Sequence, residues 1–240
     1  LAARGVRPGT ELRDETGWKL STTHAAAQLM ATLHACAPRA STDDVLDWLK
    51  LAPVFDAGQQ RRLERALRRD AVRGWPQAAL LTQQDALTGL IETLRAPMAA
   101  ARPLVDWLAA LRALLQACDL WPALSADVAG CAVIDALALD DEGLADWRDW
   151  PAAQRRMGLS EFTRWVSDAL EAASFRPPHP AQAQVVVLPM NLLAGRPFAA
   201  LVLPGADEQR LPAAPEPPGP WSAAQRQALH LPTRDDLRHA

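Results

Sequence analysis

The sequence predicts an α/β protein interrupted by an all-helical insertion. Three observations predict it. Two short apolar runs, Val185–Leu188 and Phe198–Leu203, have the length and composition of strands buried on both faces. Between Ser21 and Phe175 the apolar residues recur mostly at helical spacing. A proline-rich connector, "RPPHPAQAQ" (Arg176–Gln184), separates the two regimes, because proline cannot continue a helix and favours an extended path. Two strands alone make no stable sheet. Their partners are therefore expected near the N-terminus or outside the 240 residues.

Hydrophobic residues make up 49% of the chain, enough to bury a core, and 22% charged residues suit a soluble globular protein. The formal net charge of -3 leaves any nucleic-acid contact to a local basic patch. Cys36, Cys118 and Cys131 are odd in number, far apart and without zinc spacing. They read as reduced, mostly buried thiols of a cytoplasmic protein. No apolar run reaches about 18 residues, so neither a membrane span nor a signal peptide is expected. Leu1 in place of an initiating Met, and a helix opening cut short at "TRDDLRHA", imply a piece of a longer protein. Lys19 and Lys50 are the only lysines, so arginine abundance by itself carries little weight.

The elements follow in order. Gly5–Gly17 is polar and turn-rich, with a short extended piece near Val6. Ser21–Ala37 is a helix capped within Ser21–Thr23 and stopped by Pro38. Ser41–Leu51 opens with Ser41 and Asp44 at capping-box spacing. Asp56–Trp75, Pro76–Pro97, Pro103–Leu120 and Ala123–Leu139 read as four further helices, followed by the acidic stretch Asp140–Trp150. Ser160–Phe175 is amphipathic, with Phe162, Val166, Ala169 and Leu170 on one face and Ser160 as its cap. After the proline-rich loop Pro212–Pro220, Ser222 and Gln225 again have capping-box spacing.

"VVVLPMNLLAGRPFAALVLPGADEQRLP" (Val185–Pro212) resembles the motif V region of superfamily I helicases of the UvrD/Rep and RecB/AddB type. There an apolar strand leads into a Thr-x-His-x-x-Lys-Gly-Leu-Glu-Phe loop, a second strand and a Gly-x-x-(Asp/Glu)-x-x-x-Pro exit. Here the exit is Gly205, Asp207, Glu208 and Pro212, and the loop keeps Gly195 and Phe198. Pro189 stands at the threonine position, Asn191 at the histidine, Ala194 at the lysine, Arg196 at the leucine and Pro197 at the glutamate. Proline supplies neither a carboxylate nor a backbone N–H. The resemblance is thus to an inactivated branch, similar to the AddB or RecC side of recombination-repair complexes. The N-terminal stretch resembles the opening of the second motor domain, with the motif IV arginine falling near Gly9 and Arg7.

The resemblance implies a partial RecA-like (P-loop NTPase-like) parallel sheet domain, 1–55 and 182–240, interrupted by a helical 2B-like subdomain, 56–181. The Walker A pattern G-x-x-x-x-G-K-[ST] does not occur in the chain, so no nucleotide cofactor is expected of it. The expected function is non-catalytic: a helicase-like part of a DNA repair or recombination protein that assists DNA binding or holds a partner motor or nuclease. A protein–protein scaffold without DNA contact is the alternative, and a fragment of an active helicase is a third.

The candidate DNA contact is arginine-rich. Arg61, Arg62, Arg65, Arg68, Arg69 and Arg73 fall within roughly 140° of arc on one predicted helix, with Leu63 and Leu67 opposite. Such a stripe contacts phosphates, and it also arises on an ordinary solvated helix in an arginine-biased chain. Of the nine tryptophans, Trp48, Trp107 and Trp165 read as core; Trp75, Trp147 and Trp150 lie near helix ends. The carboxylates of Asp140–Asp149 read as a solvated face, and the five histidines form no pair at ligand spacing.

Overall fold

The computed structural model describes residues 10–83, 85–179, 183–205, 217, 219–234 and 236. It is mostly helical, with a small amount of sheet confined to two-stranded ladders. The chain divides into two compact units, Leu1–Leu192 and Leu193–Ala240.

The first unit begins with β1 (Leu12–Asp14) and β2 (Trp18–Lys19) and ends with β5 (Ser174–Phe175) and β6 (Val185–Val187). β1 runs parallel to β6 with Leu12 opposite Val185, and β2 runs antiparallel to β5 with Trp18 opposite Phe175. Glu15 N donates to Val187 O at 2.8 Å and Val185 N to Glu11 O at 3.3 Å. Leu20 N then donates to Ala173 O at 3.0 Å, closing a neck through which the chain enters and leaves the helices. The expected N-terminal partner strand thus exists, at Leu12–Asp14; the extended piece near Val6 lies outside the described residues.

Between the strands lie α1 (His24–Ala35), α2 (Thr42–Leu51), α3 (Ala57–Arg69), α4 (Trp75–Leu81), α5 (Ala86–Arg95), the strand β3 (Arg102–Pro103), α6 (Leu104–Ala117), α7 (Trp121–Ala126), α8 (Val128–Leu137), α9 (Asp141–Asp149), the strand β4 (Arg156–Met157) and α10 (Leu159–Ala172). One continuous core runs from Leu20 to Phe175. Packing therefore does not part at residue 55: α1 and α2 share that core with the helices that follow. Trp107 lies at its centre, fully buried, stacked on Phe162 at 5.1 Å and donating its indole N–H to Met157 O at 2.9 Å.

Local chemistry sets the helix starts. Thr23 caps α1 through Ala26 N, and Ser41 and Asp44 form the expected capping box on α2. Three predicted long helices are broken. Asp56–Trp75 stops at Arg69, where the chain turns through Ala71 at φ 51°. Pro76–Pro97 parts into α4 and α5, because Asp85 caps a new start at Leu87 N and the Thr82 and Thr88 hydroxyls meet at 2.8 Å. Ala123–Leu139 parts at Asp127, which caps Gly130 N. The α7–α8 corner is tight: a Cβ on Gly130 would lie 1.9 Å from Leu124 O. The acidic stretch forms α9, capped by Asp140. Ser160 is not a cap, since α10 begins one residue earlier behind Gly158.

In the second unit, Phe198–Leu203 is not the strand its composition predicts. These residues form no strand, and Leu201, Val202 and Leu203 are exposed. An apolar run becomes a strand only where a neighbour pairs with its backbone, and no ladder reaches this one. α11 (Ala223–Ala228) starts at Ser222 with the expected capping box to Gln225. The buried Arg226 guanidinium donates to Trp221 O and Pro232 O.

Candidate nucleic-acid interface

α3 presents the arginine face. Asp56 caps it by accepting from Gln59 N at 2.8 Å. Leu63 and Leu67 are buried, and Gln60 donates to Leu49 O at 2.7 Å and Phe55 O at 3.0 Å. These bonds and the two leucines fix which side of the helix faces inward. Arg61, Arg62, Arg65, Arg68 and Arg69 then all lie on the outer side, as the helical period requires. Arg73 is exposed too, but it sits in the loop after α3 rather than on the helix. Its carbonyl is held by Thr42 N at 2.9 Å.

Not every guanidinium is free for a ligand. Arg68 pairs with Glu64 at 2.6 Å and Arg69 with Asp70 at 2.9 Å. Hydrogen bonding by these arginines holds the Glu64 and Asp70 carboxyls below their ordinary range. Lys50 approaches Glu64 at 3.4 Å. Arg61, Arg62, Arg65 and Arg73 have no carboxylate partner among the described residues. Arg68 and Arg69 also fall in the last helical turn, where cations suit the helix dipole. α3 spans about 20 Å at 1.5 Å per residue and carries no aromatic side chain. Such a face can offer cations to an anionic partner but no ring for base stacking.

The stretch Val185–Pro212 divides between the two units. After β6, Leu192 N donates to Pro189 O at 2.9 Å around a 3-10 turn, Met190–Leu192, that contains Asn191. In the second unit the chain turns through Ala194 and Gly195, the latter at φ 77°, where a Cβ would be strained. Arg196, followed by Pro197, lies over the Phe198 ring at 5.6 Å. Gly205 adopts φ 74°; Asp207, Glu208 and Pro212, like Arg7 and Gly9, lie outside the described residues.

The other sequence candidates resolve differently. Trp48, Trp75 and Trp107 are fully buried. Trp147 and Trp150 stack at 5.1 Å, with Trp165 edge-on to Trp147 at 5.7 Å, a cluster that sequence reasoning did not assemble. The spacing of Trp147 and Trp150 puts them on one side of α9's end, but the approach of α10 has no local signal. Cys36 and Cys118 are buried, and burial pushes both thiols up to about 12. Cys131 is exposed and donates to Ser125 O. Asp141 pairs with Arg112 at 2.7 Å, and no group of metal-ligating side chains converges among the described residues. No helix there is long and apolar enough to cross a membrane.

Neither protein-family models, nor curated proteins, nor solved structures give a match to this chain.

Proposed function

We propose that the chain is a non-catalytic, helicase-like part of a DNA repair or recombination protein, with a RecA-like half interrupted by a helical 2B-like body. The observation that carries this reading is the neck. β1 and β6 pair in parallel although the whole helical body lies between them in sequence. That is the arrangement of an α/β sheet into which helices have been inserted, and parallel pairing needs such a crossover. The arginines of α3 supply phosphate contacts on the insertion. The residues at Pro189, Asn191, Ala194 and Pro197 leave the loop after β6 without the side chains that contact nucleotide and DNA in active relatives. That disfavours the reading as a fragment of an active helicase.

A scaffold that never touches DNA is the second reading. It is favoured by the pairing of Arg68 and Arg69 within the helix region, which reduces the charge open to phosphates.

The test is binding to a labelled single strand and a forked duplex across salt. A variant with Arg61, Arg62, Arg65 and Arg73 all changed to alanine is measured in parallel. Salt-dependent binding is expected, with a log–log slope on the duplex that becomes shallower by roughly 0.9 for each phosphate the variant no longer neutralises. Absence of binding at low salt, or an unchanged slope in the variant, removes the DNA role from this face and leaves the scaffold.

A further inference from the structure

Lys50 and Arg68 meet where α2 packs on α3, and one acid holds them both. Glu64 Oε1 accepts from Arg68 Nη2 at 2.6 Å, from Arg68 Nε at 3.1 Å and from Lys50 Nζ at 3.4 Å. The backbone fixes the place. Gln60, one turn before Glu64, donates to Leu49 O next to Lys50, and Leu63 and Leu67 are buried. Two cations from two helices thus converge on a single oxygen. Lys50 and Arg68 remain exposed, and Glu64 is half-buried.

This group differs from the other ion pair at the end of α3. Arg69 and Asp70 are neighbours in sequence, pair one to one and are neutral together. Lys50, Glu64 and Arg68 carry two positive charges against one negative, so the group is net positive with its acid in place. An ammonium and a guanidinium that share one carboxylate oxygen present the donors that a phosphate oxygen takes. Exposed ion pairs hold weakly and yield to salt, so Glu64 can turn away without disturbing the core. The rest of α2 is acidic. Asp43 adds negative charge near Arg68, Asp44 is engaged with Ser41 in the cap, and Asp47 lies one turn before Lys50. Lys50 is the one cation of α2, so an anion reaches it from the α3 side. There Arg61, Arg65 and Arg68 recur at spacings of four and three and form one row, with Glu64 beside it.

We propose that Lys50 and Arg68 form a phosphate subsite at the seam of α2 and α3, which the Glu64 carboxylate fills in the free protein and a backbone phosphate of bound DNA takes over. The proposal rests on the DNA reading of α3. It carries the row of Arg61 and Arg65 across to α2, and it makes Glu64 the residue that sets how many cations the DNA meets.

The test measures binding of a labelled duplex by the full chain across salt. The variants are Glu64→Gln, Asp47→Asn, Lys50→Gln and Arg68→Gln, the last two also made in the Glu64→Gln background. Polyglutamate serves as a polyanion without phosphate, and thermal unfolding is followed for every variant. Glu64→Gln is expected to bind the duplex about tenfold more tightly at low salt, with a log–log slope steeper by up to roughly 0.9 for each of the two cations. Asp47→Asn removes the same charge from a side chain with no ion pair among the described residues. Its gain is expected to stay below about threefold, with the slope unchanged. Lys50→Gln and Arg68→Gln should each weaken binding at least threefold more in the Glu64→Gln background than in the parent, where the acid must first be displaced. A gain no larger than that of Asp47→Asn, or equal costs of Lys50→Gln and Arg68→Gln in both backgrounds, would overturn the subsite and leave the DNA reading standing. An equal gain on polyglutamate would overturn it too, making the seam a site for an acidic protein partner. Absence of duplex binding by both the parent and Glu64→Gln would overturn the subsite and the DNA reading together.

Discussion

The helical body and the strand pair at its neck solve the same problem differently. In the body, Trp48, Trp107, Leu108 and Phe162 are fully buried, and the helices cover one another. At the neck, Leu12, Val185 and Val187 remain 43%, 44% and 43% exposed although they sit in a parallel ladder. Parallel sheets are normally covered on both faces. The body is thus complete in its own packing, and the stability of the unit resides there. The strands contribute direction and register more than burial.

The sharpest way to break that contrast is to hollow the body. Trp107→Ala removes a fully buried ring, its stack on Phe162 and its bond to Met157 O. A loss of about 3–5 kcal/mol is expected in urea unfolding followed by circular dichroism. Next is Gly130→Ala, whose methyl would meet the Leu124 carbonyl. Separating α7 from α8 to admit it should cost roughly 1–3 kcal/mol, with a lower urea midpoint and an unchanged slope.

Ser41→Ala is smaller, about 1 kcal/mol, because it removes one capping hydroxyl. It also has a pH signature. The Ser41 hydrogen bond holds the Asp44 carboxyl below its ordinary 3.8. A depressed carboxyl contributes stability that is fully present above that ordinary value and is lost as pH falls through the lower folded one. The variant should therefore lose less stability than the parent on acidification below 3.8, and acid titration of the two would show it.

Smallest of all is Val187→Thr. The residue is half exposed in β6, and the expected change is within about 0.5 kcal/mol. A cost as large as that of Ser41→Ala would mean that the neck shares the cooperative core, and the contrast would collapse.

What the sequence made legible follows the range of the interaction involved. The capping boxes at Ser41 and Ser222 are written within four residues, and both form. The side of α3 that carries the arginines follows from Leu63 and Leu67 alone. The breaks at Asp85 and Asp127 were readable as caps, but helical periodicity continues across them and masked the signal. Phe198–Leu203 has the composition of a strand whether or not a neighbour exists, so composition could not decide it. The Trp147–Trp150–Trp165 cluster needed the packing of α10 beside α9, which no local pattern encodes.

The neck has an engineering consequence. Because residues 19 and 174 are paired across it, the two ends of the helical body emerge side by side. A segment with adjacent ends and a core of its own can be lengthened at its loops, circularly permuted, or moved whole to another host, whereas the strands left behind would lack a core. The body is a cassette on a two-strand handle, free to diverge in length and surface while the handle keeps its register.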